Sequence, residues 1–179
     1  MIHSTLRTLL HAYNPTAPEE QEAKKTILTF IDKYPNCFER SLEVGHITAS
    51  SWLLNKDNTH ALMMHHAKLG IWVQLGGHCD GNPNPLEVSI KEAQEESGIN
   101  SIVALSPAIF DIDIHLVPAT SKEKAHYHYD IRFLLQVTSD EPFIQNRESK
   151  ELRWVSKNRE ELPTDSRSIT RMFDKWIGV

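Results

Sequence analysis

From Asn84 to Gly98 the chain writes both ends of a helix, and this limits what the rest can be. Asn84 is a good N-cap, Pro85 suits the first helical position, and Glu87 follows Asn84 at capping-box spacing. Gly98 can take the left-handed position that stops a helix, with Ile99 as its hydrophobic contact. The spacing predicts a helix over about 85–97. At about 100° per residue, Leu86, Ile90, Ala93 and Ser97 form a stripe expected to face a core. Glu92, Glu95 and Glu96 share another arc of about 100°. Carboxylates this close repel one another, and Lys91 stands four residues before Glu95, the less favourable order for a helical ion pair. A solvated acidic face is the plain reading. The sharper one is half of a site for a hard cation, which takes one or two carboxylates and leaves the remainder of its shell to a phosphate substrate.

Around this helix the pattern is that of a sheet covered on both sides. Helices are expected over 1–13 and 17–34, the second with capping-box spacing at Thr16-Ala17-Pro18-Glu19. Strand-like runs follow at "HITASSWLLN", "HALMMHHA" and "IWVQL", then a glycine-rich loop, "LGGHCDGNPNP". After the acidic helix come "AIFDIDIHLVP", "HYHYDIRFLLQV" and "ELRWV" as strands. An amphipathic helix from about Asp165 carries Ile169, Met172, Phe173, Trp176 and Ile177 on its apolar side. Residues 1–40 read as an N-terminal helical extension and 41–179 as the main domain. The extension is read as a cover for an open sheet face, a lid or a homodimer contact.

Charge and cysteine content remove several function classes. A net charge of -5 argues against DNA binding by broad phosphate neutralisation, but leaves room for one nucleotide held through a metal. Cys37 and Cys79 form no CxxC, so neither a zinc ribbon nor a disulfide framework is written here, and a reducing cytoplasm is the expected setting. The N-terminal stretch is too polar for a signal peptide, and no membrane span is expected.

Gly77, Glu92, Ala93, Glu95, Glu96, Gly98 and Ile99 stand at the spacing of the Nudix box, G-x5-E-x7-R-E-U-x-E-E-x-G-U, with alanine counted as aliphatic. The segment closely resembles that box, with two departures: Pro83 where the pattern has its first glutamate, and Lys91 where it has arginine. Lysine keeps the charge but not the fork that holds a carboxylate bidentately. Glu87 is the residue within reach of the missing carboxylate's position. The resemblance implies a Nudix-type α/β/α sandwich with a mixed sheet. It also implies Mg²⁺- or Mn²⁺-dependent hydrolysis of the diphosphate linkage in a nucleoside diphosphate joined to another group. By the same resemblance Glu95 and Glu96 would be metal ligands, and Glu92 a ligand or the base, oriented by Lys91. The Gly77 carbonyl would complete the shell, and Glu148 or Glu151 would be a base from outside the box. The rival is a Nudix-fold binding module weakened in catalysis. Pro83 and Lys91 speak for it, and the retained glutamates speak against it.

A second constellation lies on two strands. Alternation puts Asp111, Asp113 and His115 on one face, and His126, His128, Asp130 and Arg132 on one face of a later strand. If residues 118–125 close a hairpin, the two polar faces meet. They are read as a solvent-facing sheet side, a substrate wall, or a second, transition-metal site, since imidazole with carboxylate suits Mn²⁺, Fe²⁺ or Zn²⁺ better than Mg²⁺. His78, directly after Gly77, is placed by this reading in the loop beside the carboxylates. Isopentenyl-diphosphate isomerase, a relative of the Nudix fold, is similar there in having a metal-binding histidine. Gly76 stands where that enzyme has a cysteine, which argues against isomerase chemistry.

Overall fold

The structure is a computed structural model that describes residues 3–121 and 124–178. The first two residues of the helix expected over 1–13, and part of the expected hairpin connection, lie outside that range. In chain order the elements are α1 (Ser4–Ala12), α2 (Pro18–Lys33), β1 (Gly45–Leu54), β2 (His60–His66), β3 (Trp72–Val73), β4 (Leu75–His78), α3 (Pro85–Ser97), β5 (Ile102–Ala104), β6 (Asp111–Val117), β7 (His126–Val137), β8 (Ser149–Ser156) and α4 (Arg167–Ile177). A short 3₁₀ turn, Arg159–Glu161, precedes α4.

Two long strands organise the mixed sheet. β1 and β7 run parallel over their whole shared length, from Gly45 opposite Tyr127 to Leu54 opposite Gln136. Each then serves two partners. β1 pairs antiparallel with β4 through Thr48–Ser51 and with β2 through Leu53 and Leu54. β7 pairs antiparallel with β6 along Arg132–His126 and with β5 at Leu135–Val137. β3 and β8 extend the sheet from β2.

Alternation along β1 and β7 divides the interior in two. Ile47, Ala49 and Leu53 of β1, with Ile131, Phe133 and Leu135 of β7, join one core with Leu6, Leu10, Ile27, Phe30 and Ala93. The first two helices therefore share the core of the sheet and of α3. On the other face Trp52 and Leu54 join Met63, Val155, Ile169, Met172 and Phe173 beneath α4. Fully burying such a side chain contributes about 1.5–3 kcal/mol, enough to fix which face each helix covers. No described helix is long and apolar enough to cross a membrane.

Several local expectations are corrected. Glycine richness predicts a loop at residues 75–78, yet Leu75–His78 is strand β4. A Cβ at Gly76 would lie 2.6 Å from Ser50 Cα and 2.7 Å from the Ala49 carbonyl oxygen, so glycine is there to let β4 approach β1. The cap of α2 is one residue later than the spacing suggests: Ala17 is the N-cap, and the Glu20 carboxylate accepts from the Ala17 and Thr16 amides at 3.0 and 3.2 Å. Glu87 makes no capping box with Asn84, and its carboxylate instead accepts from Asn82 Nδ2 at 3.4 Å. Strand β5, three residues long, was not legible at all.

Candidate functional site: a carboxylate centre backed by a polar sheet face

Helix α3 starts and stops where its caps place it, with Gly98 left-handed at φ 71°. The expected stripe does face the core, Ala93 and Ser97 buried and Leu86 and Ile90 packed against it, but the inward face is wider than that stripe. The buried positions are Pro85, Val88, Ser89, Ala93, Glu96 and Ser97, so Glu96 lies on the inward face and Glu92 is half-buried beside it. Glu95 is the exposed member of the three.

Glycines of β4 make this inward packing of carboxylates possible. Glu96 Oε2 accepts from the Gly76 amide at 2.8 Å. A Cβ at Gly77 would collide with Glu92 Oε2, so that carboxylate lies directly on the Gly77 backbone. Burial pushes Glu96 up to about 8, and the charges of Glu92, Glu148 and Glu95 add to the rise. Burial also raises Glu92, against the pull of Lys91. Lys91 Nζ sits 2.8 Å from Glu95 Oε2 and 3.4 Å from Glu92 Oε1. One buried and one half-buried carboxyl group, with one lysine at their rim, make an oxygen donor set that fits a hard divalent cation.

Of the two candidate bases outside the box, the structure brings Glu148 to the carboxylates. The segment before β8 is tied to the end of α3, Ile144 N donating to Ser97 O at 2.7 Å and Asn146 Nδ2 to Glu95 O at 3.1 Å. The Glu148 amide is held by Asn146 Oδ1 at 2.8 Å and its carbonyl by Ala67 N at 2.8 Å. Its side chain is exposed, and its charge is felt by both Glu92 and Glu96. Glu151 is instead engaged by Arg153, at 2.6 and 2.9 Å. Pro83 and Glu87 are both exposed.

The second constellation shares one sheet face, as alternation requires, but most of that face is covered: Asp111, His126, Asp130 and Arg132 are buried, and His115 is its exposed member. β6 and β7 pair so that Asp111 faces Arg132, Asp113 faces Asp130 and His115 faces His128. At one end α4 covers them. Asp111, fully buried, accepts from Arg132 at 3.1 Å, from Arg171 at 2.8 Å through both oxygens, and from Lys175 at 2.8 Å. Asp130 accepts from Thr48, Ser50, Gln74 and Arg132 at 2.7–3.1 Å. Burial alone would raise Asp130, but Arg132 and these hydrogen bonds hold it below the usual carboxylate range. With its lone pairs so occupied, Asp130 belongs to the scaffold rather than to a metal shell.

At the other end the face is histidine. His78 is not in a loop beside the carboxylates. It is the last residue of β4, and alternation turns it away from Gly77 and α3. There it meets His46 and His128, ring centroids 5.0 Å from each. His126 lies 5.0 Å from His46, and His115 lies 5.3 Å from His128. Burial, and then the neighbouring imidazoles, lower His46 to about 4 and His128 to about 3. His46 was not a sequence candidate. Its parity with Thr48 and Ser50 was readable, but the parallel pairing that sets it opposite His128 was not.

The two glycines separate stability from function in a testable way. Gly76→Ala forces β4 off the Ser50 backbone and is expected to lower the melting temperature markedly. Gly77→Ala meets only the movable end of Glu92, so melting should change little while any metal requirement for activity rises several-fold. Thermal melts and metal titrations of activity on both variants check this contrast.

No family model and no curated protein matches the chain. Solved structures do. A Nudix-family hydrolase from Clostridium perfringens is 25% identical with a TM-score of 0.56, over 74% of this chain and 96% of that one. An Ap4A hydrolase from C. elegans superposes with a TM-score of 0.59 at 13% identity, over 74% of this chain and 95% of that one. The E. coli dihydroneopterin triphosphate pyrophosphohydrolase gives 0.57 at 12% identity, over 74% and 96%. Given the mixed sheet, its flanking helices and these likenesses, the chain has the Nudix α/β/α sandwich fold.

Proposed function

We propose that this chain is a divalent-metal-dependent hydrolase of a diphosphate linkage in a nucleoside diphosphate joined to another group. The observation that carries the reading is the pair Glu92 and Glu96, seated on the Gly76-Gly77 backbone with Lys91 at their edge. Glu92 and Glu96, with Glu95 at the rim and the Gly77 carbonyl, would hold Mg²⁺ or Mn²⁺. The chemistry such a cation supplies is neutralisation of charge on the phosphate oxygens. Lys91 positions the Glu92 and Glu95 carboxylates. Glu148, exposed to water beside the buried pair, takes the proton from the attacking water, and in-line displacement then needs mainly positioning. The likeness to the Clostridium perfringens protein and the box spacing support the same reading.

The test is product release from nucleotide sugars, dinucleoside polyphosphates and nucleoside triphosphates, with Mg²⁺ or Mn²⁺ added to chelator-treated protein. Turnover of at least one class with metal and none without it is expected. Glu148→Gln should lower kcat by about 10²–10⁴-fold, and Glu151→Gln should stay near wild type. Tight binding of one compound with no turnover under either metal would instead support a binding module, the reading that exposed Pro83 favours.

A further inference from the structure

We propose that His46, His78 and His128 form a second metal site, for a borderline transition cation such as Zn²⁺ or Fe²⁺, on the sheet face opposite the carboxylate centre. The inference does not depend on the proposed hydrolysis.

Three neighbouring strands each supply one imidazole. β1 and β7 place His46 directly opposite His128, and the β1–β4 pairing places His78 opposite Thr48, one position further along the same face. Gly45 allows β1 to begin this close to β7, since a Cβ there would collide with the Tyr127 carbonyl oxygen. One ligand nitrogen from each of the three rings lies within 4.8 Å of the others. Metal–nitrogen bonds of about 2.0–2.1 Å are then reached by small side-chain rotations.

A separate observation points to an occupant. His46 is only 2% exposed, and the Leu42 backbone can serve at most one of its ring nitrogens, which leaves the other without a hydrogen-bond partner among the described residues. Nε2 of His128 has none either. Leaving a buried polar atom unmet costs about 1–3 kcal/mol, so an interior without an occupant would be poorly served by histidine here. A cation bound through the lone pairs would satisfy them.

Two further histidines border the three rings. His115 Nδ1 lies 3.2 Å from Asp113 Oδ2, and His126 Nδ1 lies 2.8 Å from the Lys124 carbonyl oxygen. Both contacts engage Nδ1 of a histidine outside the three-ring set, so these two imidazoles are held in place as neighbours of the site and are not counted among its ligands. Arg40, whose charge reaches His46, is paired with Asp80 at 2.5 Å. An all-imidazole set selects against Mg²⁺, which takes oxygen ligands, and for Zn²⁺ or Fe²⁺. The two centres would therefore prefer different metals.

The test uses the full chain stripped with a chelator. Zn²⁺ affinity is measured by competition with a chromogenic chelator, and Co²⁺ serves as a visible-band reporter. Wild type and a Glu92→Gln/Glu96→Gln double variant should bind one Zn²⁺ per chain with the same affinity. His78→Gln and His128→Gln, each at a half-buried position, should bind about 100-fold more weakly or worse, and should lose the rise in melting temperature that Zn²⁺ gives wild type. Histidine variants that bind Zn²⁺ like wild type would overturn the proposal, as would loss of Zn²⁺ binding in the carboxylate variant. Should the histidine variants fail to fold, imidazole ring NMR of wild type decides. One equivalent of Zn²⁺ should shift the His46 and His128 signals, and unmoved signals would refute the site.

Discussion

Replacing Glu96 with glutamine is expected to reduce metal-supported diphosphate hydrolysis by about 10²–10³-fold in kcat, the usual cost of removing one well-placed electrostatic group from an active site. The substitution is conservative in shape. The glutamine side-chain oxygen can still accept from the Gly76 amide, so the contact between α3 and β4 survives. What disappears is the negative charge of the most deeply buried carboxylate in the centre. Glu95→Gln is the comparison. Glu95 is exposed and shares Lys91 with Glu92, so its loss should cost less than a tenth of that effect. Steady-state kinetics at saturating Mg²⁺, with melting curves to confirm folding, measure both. Equal losses at the two positions would mean that burial does not rank the carboxylates.

The largest stability effect is expected at Asp111. Asp111→Ala should destabilise the chain by about 3–5 kcal/mol, a fall in melting temperature on the order of 10 °C for a chain of this length. The reason is arithmetic of charge in a dry place. One fully buried carboxylate receives Arg132, Arg171 and Lys175. Without it, Arg132, Arg171 and Lys175 lose their shared partner, and Asp130, Asp113 and Glu20 are left to balance them beneath α4. Glu20 of α2 joins the same group through Lys175 and Tyr13. Burial would raise Glu20, but those hydrogen bonds bring it down to about 2. A carboxylate held below its ordinary value of 4.5 stabilises the fold above that value, and the contribution is lost as pH falls toward 2. Acid should therefore loosen α4 and α2 together. Asp113→Ala, at a partly exposed position 3.4 Å from Arg132, should cost far less than Asp111→Ala. Thermal melts at neutral pH, and an acid titration followed by circular dichroism, check the pair. A shift at Asp111 no larger than at Asp113 would remove the network from the account of stability.

The legible parts were those governed by neighbours in sequence. Asn84, Pro85 and Gly98 bound α3 because caps act within one turn. The parity of Asp111, Asp113 and His115, and of His126, His128 and Asp130, follows from strand alternation alone and holds in the β6–β7 register. What failed depended on distant partners. The glycine run at 75–78 looked like a loop because close strand packing against Ser50 cannot be seen from β4 itself. The Asp–Arg end of the polar face looked wet because Arg171 and Lys175 arrive from a helix more than fifty residues away in sequence. His46 has no histidine or cysteine beside it in sequence; the pairing of β1 with β7 and β4 supplies its imidazole neighbours. Helical spacing groups Glu96 with Glu92 and Glu95 on an outer arc because it predicts relative, not absolute, orientation.

The central claim is that the carboxylates on Gly76-Gly77 hold a cation that hydrolysis requires. The most direct measurement is the rate of hydrolysis of the best diphosphate substrate by chelator-treated wild type as Mg²⁺ is titrated back, beside the Glu92→Gln/Glu96→Gln variant. The account predicts a saturable return of activity in wild type and none in the variant at any Mg²⁺ concentration. Turnover without added metal, or equal recovery in the variant, would contradict it.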